Sequence, residues 1–201
     1  MYNFPHQKPI ILASGSRARQ ELLRSLGLDF RVIPSNCDEE EIKQSFPSQE
    51  FIELARQLAR CKALSVSQAN PSSYVIAADQ LCVLDEQILD KPGGHETAVI
   101  HLKMLRGKQH SQISACCIAF AGKIIWEAQD SALLTIKNLS EQAIENYLKQ
   151  DKPYQSCGAY HYEGRAKWLF SEVIGSDSTI QGLPLIALTN ALIDLGIVEL
   201  D

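Results

Sequence analysis

Hydroxyl and guanidinium groups are concentrated where the first predicted strand passes into a helix. The short apolar run 10–13 is typical of a buried strand, and Ser14 and Ser16 flank the glycine of a tight turn. Ser16 is placed as a helix N-cap. With Arg17 and Arg19 nearby, the free backbone N–H groups of this helix start predict an anion site suited to phosphate. The alternative is an ordinary strand-to-helix turn with solvated arginines, because no strict phosphate-loop pattern is present.

Asp79 is the second candidate for chemistry. It follows the apolar run 74–78, which we predict to be a central strand. A carboxylate at the end of such a strand costs free energy without a partner, and open α/β sheets bind ligands at the carboxyl ends of their strands. Asp79 is therefore a candidate general base or metal ligand for attack on a phosphate. The alternative is a residue that caps a turn.

Four further charged features are ambiguous when each is taken alone. Lys62 lies near the apolar face of a predicted helix, and Lys91 lies in a loop after a strand. Each lysine is either a phosphate ligand or an ordinary surface cation. Glu163 precedes a glycine in a predicted loop and can accept hydrogen bonds from a base edge. The acidic run 38–41 is a solvated loop, a first helical turn, or the source of a carboxylate that holds a divalent cation.

Alternating strands and helices must position these side chains. The predicted strands are 10–13, 30–34, 74–78 (with 81–84 still extended), 111–121, 124–136 and 167–174. The predicted helices begin at 17, 48, 96, 140 and 182 and end near 26, 68, 105, 149 and 195. Residues 156–164 are predicted to form a loop that crosses a site. The sequence shows no internal repeat and no linker, so 1–201 is predicted to be a single domain.

Composition excludes several classes of function. The 201 residues carry a net charge of −5 without a basic tail, which disfavours nucleic-acid binding. No apolar stretch approaches the ~20 residues of a membrane span, and the polar segment 1–8 lacks the apolar core of a secretion signal. We therefore expect no membrane association and a cytoplasmic location. The six cysteines and five histidines show no metal-ligand spacing, so the cysteines are predicted to be reduced thiols, most of them in the core.

Short motifs across the whole chain resemble those of the Maf family, also called septum-formation inhibitor-like proteins. The matching motifs are Ala13-Ser14-Gly15-Ser16 with Leu22-Leu23, Asp38-Glu39, Leu58-Ala59-Arg60-Cys61-Lys62-Ala63, Asp79, Asp90-Lys91-Pro92, the loop from Gly158 to Gly164, and Gly182-Leu183-Pro184-Leu185. They occur in the family's order. A match of that extent is more specific than any single motif.

The resemblance implies a fold and an activity. The implied fold is α/β and Maf/ITPase-like, in which an elongated, twisted, mixed sheet is flanked by helices and two lobes enclose a central cleft. The implied activity is that of a nucleoside triphosphate pyrophosphatase, which hydrolyses a nucleoside triphosphate to a monophosphate and pyrophosphate. The implied assembly is a homodimer.

The resemblance also implies roles for individual residues. The implied phosphate-binding set is Ser14, Ser16, Arg19, Lys62 and Lys91. Asp79 activates water and, together with Glu40 or its neighbour Glu39, holds a divalent cation, Mg²⁺ or Mn²⁺. Ala18, Gln80 and Glu163 line the base pocket or contact the base.

Gln80 and Glu163 resemble the subfamily that acts on 7-methyl-GTP, whereas members acting on dTTP and UTP usually carry Thr and Gln at these positions. A carboxylate suits the N–H donors of guanine and a cationic N7-methyl base, and glutamine suits a pyrimidine edge. Two positions depart from the family pattern. Arg17 replaces a proline, and Ala18 replaces an arginine or tryptophan. Arg17 points about 100° away from the Ala18 direction around the helix.

Three alternatives to the 7-methyl-GTP assignment are left open by the sequence. One is a pyrophosphatase for dTTP and UTP, and another is a pyrophosphatase for a different modified nucleotide. The third is a non-catalytic nucleotide-binding regulator of septum formation. Release of pyrophosphate separates both enzymes from the regulator, because a regulator binds its nucleotide without turning it over.

Overall fold

The computed structural model describes residues 8–46 and 49–200, which fall into two compact units. Unit 1 contains the described residues of Met1–Asp79 together with Ser114–Asp130 and those of Gly182–Asp201; unit 2 contains Gln80–Ile113 and Ser131–Gln181. The polar N-terminal residues 1–7 and Ser48, at the predicted start of the long helix, lie outside the described residues.

The strands confirm the predicted α/β class with a mixed sheet. They are β1 (Ile10–Leu12), β2 (Arg31–Val32), β3 (Tyr74–Leu84), β4 (Gln87–Ile88), β5 (Gln109–Phe120), β6 (Lys123–Ile136) and β7 (Phe170–Ile174). Within the described residues the sheet has the order β2-β1-β3-β5-β6-β7, with β4 paired to β3. β1 is parallel to β2 and β3, whereas β4 is antiparallel to β3 and β7 is antiparallel to β6.

The helices follow the predicted apolar faces closely. They are α1 (Arg17–Ser25), α2 (Glu39–Ser45), α3 (Phe51–Ala69), α4 (His95–Leu105), α5 (Glu141–Asp151), α6 (Asp177–Ile180) and α7 (Leu185–Asp194). α1 begins at Ser16, whose hydroxyl accepts the N–H of Arg19, and Gly27 follows its last turn with φ 72°. Among the described residues, no helix is long and apolar enough to span a membrane.

Each unit has its own apolar core. In unit 1, β1, β3 and β5 pack with α1 and α7 through Leu12, Leu23, Ile76, Ile118 and Leu188, among others. In unit 2, α4 and α5 pack through Leu102, Leu105 and Leu148 against apolar residues that include Leu134 of β6. Burial of these side chains supplies the main driving force for folding each unit.

Two sequence expectations need correction, and one short helix was missed. Asp79 does not end a strand, because β3 continues without a break to Leu84 and then turns at Asp85 and Glu86 into β4. The predicted strand 167–174 is shorter, since Arg165–Leu169 form a 3-10 helix before β7. The short helix α6 was not predicted at all.

The prediction that every cysteine is a reduced thiol is wrong for one pair. The sulfurs of Cys37 and Cys61 are joined, with Cα atoms 5.9 Å apart, whereas Cys82, Cys116, Cys117 and Cys157 form no disulfide bond. Cys37 precedes α2 and Cys61 lies on α3. These elements pack together only through tertiary structure, which the spacing of cysteines in the sequence does not reveal.

Candidate functional site

The turn between β1 and α1 is held together by its two serines. The hydroxyl of Ser14 accepts the backbone N–H of Ser16 at 3.2 Å, and the hydroxyl of Ser16 accepts the N–H of Arg19 at 3.4 Å. Both contacts use N–H groups at or beside the helix start, which lack intrahelical partners. The serines therefore fix the backbone of this turn and bring Ser14 close to the side chain of Arg19.

Arg19 is buried and its guanidinium group is fixed by two acceptors. Nε donates to the carbonyl oxygen of Gly182 at 2.8 Å, and Nη1 donates to the hydroxyl of Ser14 at 3.3 Å. Gly182 has φ +95°, a conformation that side chains other than glycine rarely adopt. The Gly-Leu-Pro motif thus supplies the acceptor that orients Arg19. This contact with Arg19 was not predicted.

Arg17 does not share this environment. Its side chain is 91% exposed and pairs with Glu21 at 2.8 Å, one turn further along α1. Arg17 therefore points to solvent, whereas Arg19, two positions further along the helix, is buried. Ala18 is half-buried between them and offers only a methyl group.

The second cluster in unit 1 joins Lys62 to two carboxylates. The ammonium of Lys62, on α3, contacts the carboxylate of Asp79 on β3 and lies 3.0 Å from Oε1 of Glu39, the first residue of α2. Lys62 and Asp79 are both buried, and Glu39 is 40% exposed. A buried charge requires a partner of opposite sign, and here each buried charge has one.

The position of Asp79 still agrees with a ligand site at a strand end. Leu12, the last residue of β1, pairs with Ile76 of β3, so Asp79 lies three residues beyond the end of its parallel neighbour. Asp79 is therefore level with the part of the chain that follows β1, where the turn at Ser14 begins. This is the edge at which parallel sheets bind ligands.

The structure distinguishes the two candidate glutamates of α2. Glu39 contacts Lys62, whereas Glu40 is exposed in the same helical turn. No group of three or more His, Cys, Asp or Glu side chains that could hold a metal occurs among the described residues. The carboxylates of Glu39 and Asp79 nevertheless both contact the ammonium group of Lys62. Such a pair of carboxylates fits Mg²⁺, which is commonly held by one or two carboxylates together with substrate phosphates.

The predicted base-contacting and loop residues belong to unit 2. Gln80 donates from Nε2 to the carbonyl oxygen of Ile180 at 2.5 Å, and its own carbonyl accepts the thiol of Cys157 at 3.8 Å. Lys91 is exposed in the loop after β4, and Glu163 is exposed before Gly164. Gln80 therefore lies on β3, whereas Lys91 and Glu163 lie in two separate loops.

A buried polar network supports the segment that leads to Glu163. The hydroxyl of Tyr160 accepts from Nε2 of Gln112 at 2.6 Å and lies 2.8 Å from Nε2 of His110. Burial raises the pKa of Tyr160 and lowers the pKa of His110 to about 4, because both charged forms are desolvated. The sequence analysis did not identify this network. The only available signal was the spacing of His110 and Gln112, which places them on one face of β5.

Comparison with known proteins agrees with these motifs. A family model described as Maf-like protein matches residues 9–195. A protein of Legionella pneumophila subsp. pneumophila, strain Philadelphia 1, named nucleoside triphosphate pyrophosphatase, is 58% identical over 198 residues, covering 98% of this chain and 99% of that relative. A protein of Pelagibacter ubique with the same name is 39% identical over 182 residues, covering 89% and 93%.

A solved structure shows the same kind of fold. The Ham1 protein of Staphylococcus aureus matches with a TM-score of 0.51 at 14% identity, covering 94% of this chain and 100% of that chain. At this low identity the likeness concerns the fold alone.

Proposed function

This chain belongs to the Maf-like protein family, and we propose that it hydrolyses 7-methyl-GTP to 7-methyl-GMP and pyrophosphate. The main observation that supports hydrolysis is the buried contact between Lys62 and Asp79, together with the contact between Lys62 and Glu39. It supports the proposal because two carboxylates and an ammonium group lie together there, and Asp79 lies three residues beyond the position of β3 that pairs with the end of β1.

The general activity is inferred from the names of the relatives. The chain is a nucleoside triphosphate pyrophosphatase, a hydrolase acting on phosphoric anhydrides, because relatives with that name match it over nearly its whole length at identities up to 58%. The substrate, the cation and the role of each residue are our proposals.

Unit 1 supplies the groups that bind phosphate. Arg19 offers a fixed guanidinium group, which forms strong charge-assisted hydrogen bonds with phosphate oxygens. Ser14 and Ser16 add hydroxyls, and Lys62 adds an ammonium group. Because these donors are already positioned, they stabilise the negative charge that accumulates on phosphate oxygens in the transition state. In this proposal Lys91 contributes a further cation to the triphosphate.

Asp79 is the base in this proposal. Its carboxylate takes a proton from a water molecule, whose oxygen attacks the phosphorus of the α phosphate. The P–O bond of the anhydride breaks, and pyrophosphate leaves with the bonding electron pair. Lys62 contacts the same carboxylate and offsets its charge, which keeps a buried anion stable before the substrate arrives.

The proposal includes a divalent cation, Mg²⁺ or Mn²⁺. Asp79 and Glu39 are the residues that would hold it, with Glu40 as the neighbouring carboxylate on α2. When bound, the cation supplies positive charge to the phosphate oxygens.

Glu163 and Gln80 are the residues that we propose to contact the base. A carboxylate such as that of Glu163 accepts hydrogen bonds from N1–H and the exocyclic amine of guanine, and it attracts the cationic N7-methyl ring. Gln80 offers an amide whose orientation is set by Ile180. Ala18 offers no aromatic side chain to the base. A homodimer and a cytoplasmic location stay predictions.

The experiment is a pyrophosphate-release assay with 7-methyl-GTP, GTP, dTTP, UTP, CTP and ITP, each with Mg²⁺, with Mn²⁺ and with a chelator. We expect the fastest release from 7-methyl-GTP and none with the chelator. Faster release from dTTP and UTP would overturn the base assignment and leave the general activity in place. If none of the six releases pyrophosphate while binding persists, the chain is a nucleotide-binding regulator instead.

A further inference from the structure

Two cysteines flank the Lys62 cluster. Cys37 lies two residues before Glu39, and Cys61 lies one residue before Lys62. Their Cα atoms are 5.9 Å apart, within the range that a disulfide spans, and the structure joins their sulfurs. The covalent link and the ion pair between Glu39 and Lys62 therefore connect the same two parts of the chain.

The two linked elements differ in how firmly they are anchored. α3 buries eight of its nineteen residues, whereas α2 buries none of its seven. The position of α2 therefore depends on polar contacts and on the disulfide, because apolar burial is the main force that fixes a surface helix. Breaking the disulfide should release α2 and leave α3 in place.

The geometry also separates the disulfide from the Lys62–Asp79 contact. Cys61 and Lys62 are adjacent on α3, so their side chains leave the helix about 100° apart. The disulfide leads to the segment before α2, and Lys62 leads to β3. A change at Cys61 therefore acts on Glu39 and does not break the contact between Lys62 and Asp79.

Cys37 and Cys61 are also less buried than most cysteines of the chain. Cys37 and Cys61 are both half-buried. By contrast, Cys82, Cys116 and Cys117 are buried, and burial raises the pKa of each of these thiols, which suppresses the reactive thiolate. Cys157 is the other half-buried thiol and serves below as a control.

We propose that Cys37 and Cys61 form a reversible thiol–disulfide switch that holds Glu39 beside Lys62 when oxidised and releases it when reduced. In the oxidising direction the two thiols give up two protons and two electrons to a small-molecule disulfide, which becomes two thiols through a mixed disulfide. A dithiol reverses the reaction. As regulation of the pyrophosphatase site, the switch rests on the proposed function, in which Glu39 helps to hold the cation.

The experiment compares the full chain after treatment with oxidised glutathione and after treatment with dithiothreitol. Oxidation should remove two titratable thiols and yield a linked pair of peptides containing Cys37 and Cys61. Amide hydrogen exchange should then be slower in residues 39–45 and unchanged in residues 51–69. Reduction should lower kcat/KM for the triphosphate by roughly tenfold, the lower end of what loss of support for a metal ligand costs.

Two variants test whether this pair is responsible. Cys37→Ser should behave like the reduced protein in both treatments, and Cys157→Ser should keep the difference between the two treatments. The proposal is overturned if all six thiols still titrate after oxidation, or if exchange in residues 39–45 is the same in both states. If exchange responds but neither form cleaves any triphosphate, the switch of α2 stands and the proposed function fails.

Discussion

The two units of this chain hold their candidate residues in opposite ways. In unit 1, Arg19, Lys62 and Asp79 are buried and already contact partners within the same unit. In unit 2, Lys91 and Glu163 are exposed. Buried, fixed charges suit the stabilisation of a transition state, while exposed groups suit the selection of a substrate. We infer that unit 1 determines the rate of hydrolysis and unit 2 determines the choice of base.

The largest expected effect is that of Asp79→Asn. This variant keeps a side chain of the same size that can still contact Lys62, but it removes the base. Turnover should fall by about 10³-fold, within the range that general-base catalysis contributes. The measurement is pyrophosphate release under saturating substrate. The control is Asp194→Asn at the exposed end of α7, which should retain full activity. Turnover of Asp79→Asn above a tenth of wild type would rule out Asp79 as the base.

Removing the cation of the buried pair should mainly affect stability. Lys62→Met leaves the carboxylate of Asp79 buried without Lys62, which should lower the free energy of unfolding by about 3 kcal/mol. The double variant Lys62→Met with Asp79→Leu should regain most of that stability, because no buried charge is left, and should remain inactive. Urea unfolding measures both. A single variant as stable as wild type would show that the pair does not hold unit 1 together.

Mild acid should destabilise the protein through unit 2. Burial lowers the pKa of His110 to about 4, below the ~6.5 of an unfolded chain, so the unfolded state binds the extra proton between these values. Stability is therefore lost as the pH falls through this window, by about 2 kcal/mol at pH 5 for this one group. His110→Gln should remove this part of the pH dependence, as measured by urea unfolding at pH 7 and pH 5. If the variant loses as much stability between pH 7 and pH 5 as the wild type, His110 does not titrate in this way.

Arg19→Lys should have a smaller effect, on the efficiency with which the triphosphate is cleaved. Lysine cannot reproduce both contacts of the guanidinium group, with Gly182 and with Ser14, so kcat/KM for the triphosphate should fall roughly tenfold. Arg17→Lys is the matched control, since that side chain is 91% exposed, and it should leave kcat/KM unchanged. Equal effects from both variants would contradict the distinction between the two arginines.

Local features of the fold were predictable from the sequence. The cap at Ser16, the end of α1 at Gly27 and the turn at Ala121 and Gly122 depend on residues within a few positions of one another. Their chemistry is visible in the sequence alone. The same holds for the different directions of Arg17 and Arg19, which follow from helix geometry.

Features that depend on distant residues were not predictable. The continuation of β3 beyond Asp79 is set by pairing with β4 and with its other neighbours, not by the apolar run before it. The bond between Cys37 and Cys61 requires the packing of α2 on α3. The carbonyl of Gly182 that holds Arg19 is 163 residues away in the sequence. The resemblance to the family motifs predicted that Lys62 and Asp79 belong to one site, which their spacing in the sequence does not show.

The most direct test of the division between the units is a comparison of two variants on two substrates. Values of kcat/KM for 7-methyl-GTP and dTTP would be measured for wild type, Arg19→Lys and Glu163→Gln. We predict that Arg19→Lys lowers both values by the same factor and that Glu163→Gln shifts their ratio toward dTTP by roughly tenfold. A Glu163→Gln variant that changes both values equally, or an Arg19→Lys variant that changes their ratio, would contradict the account.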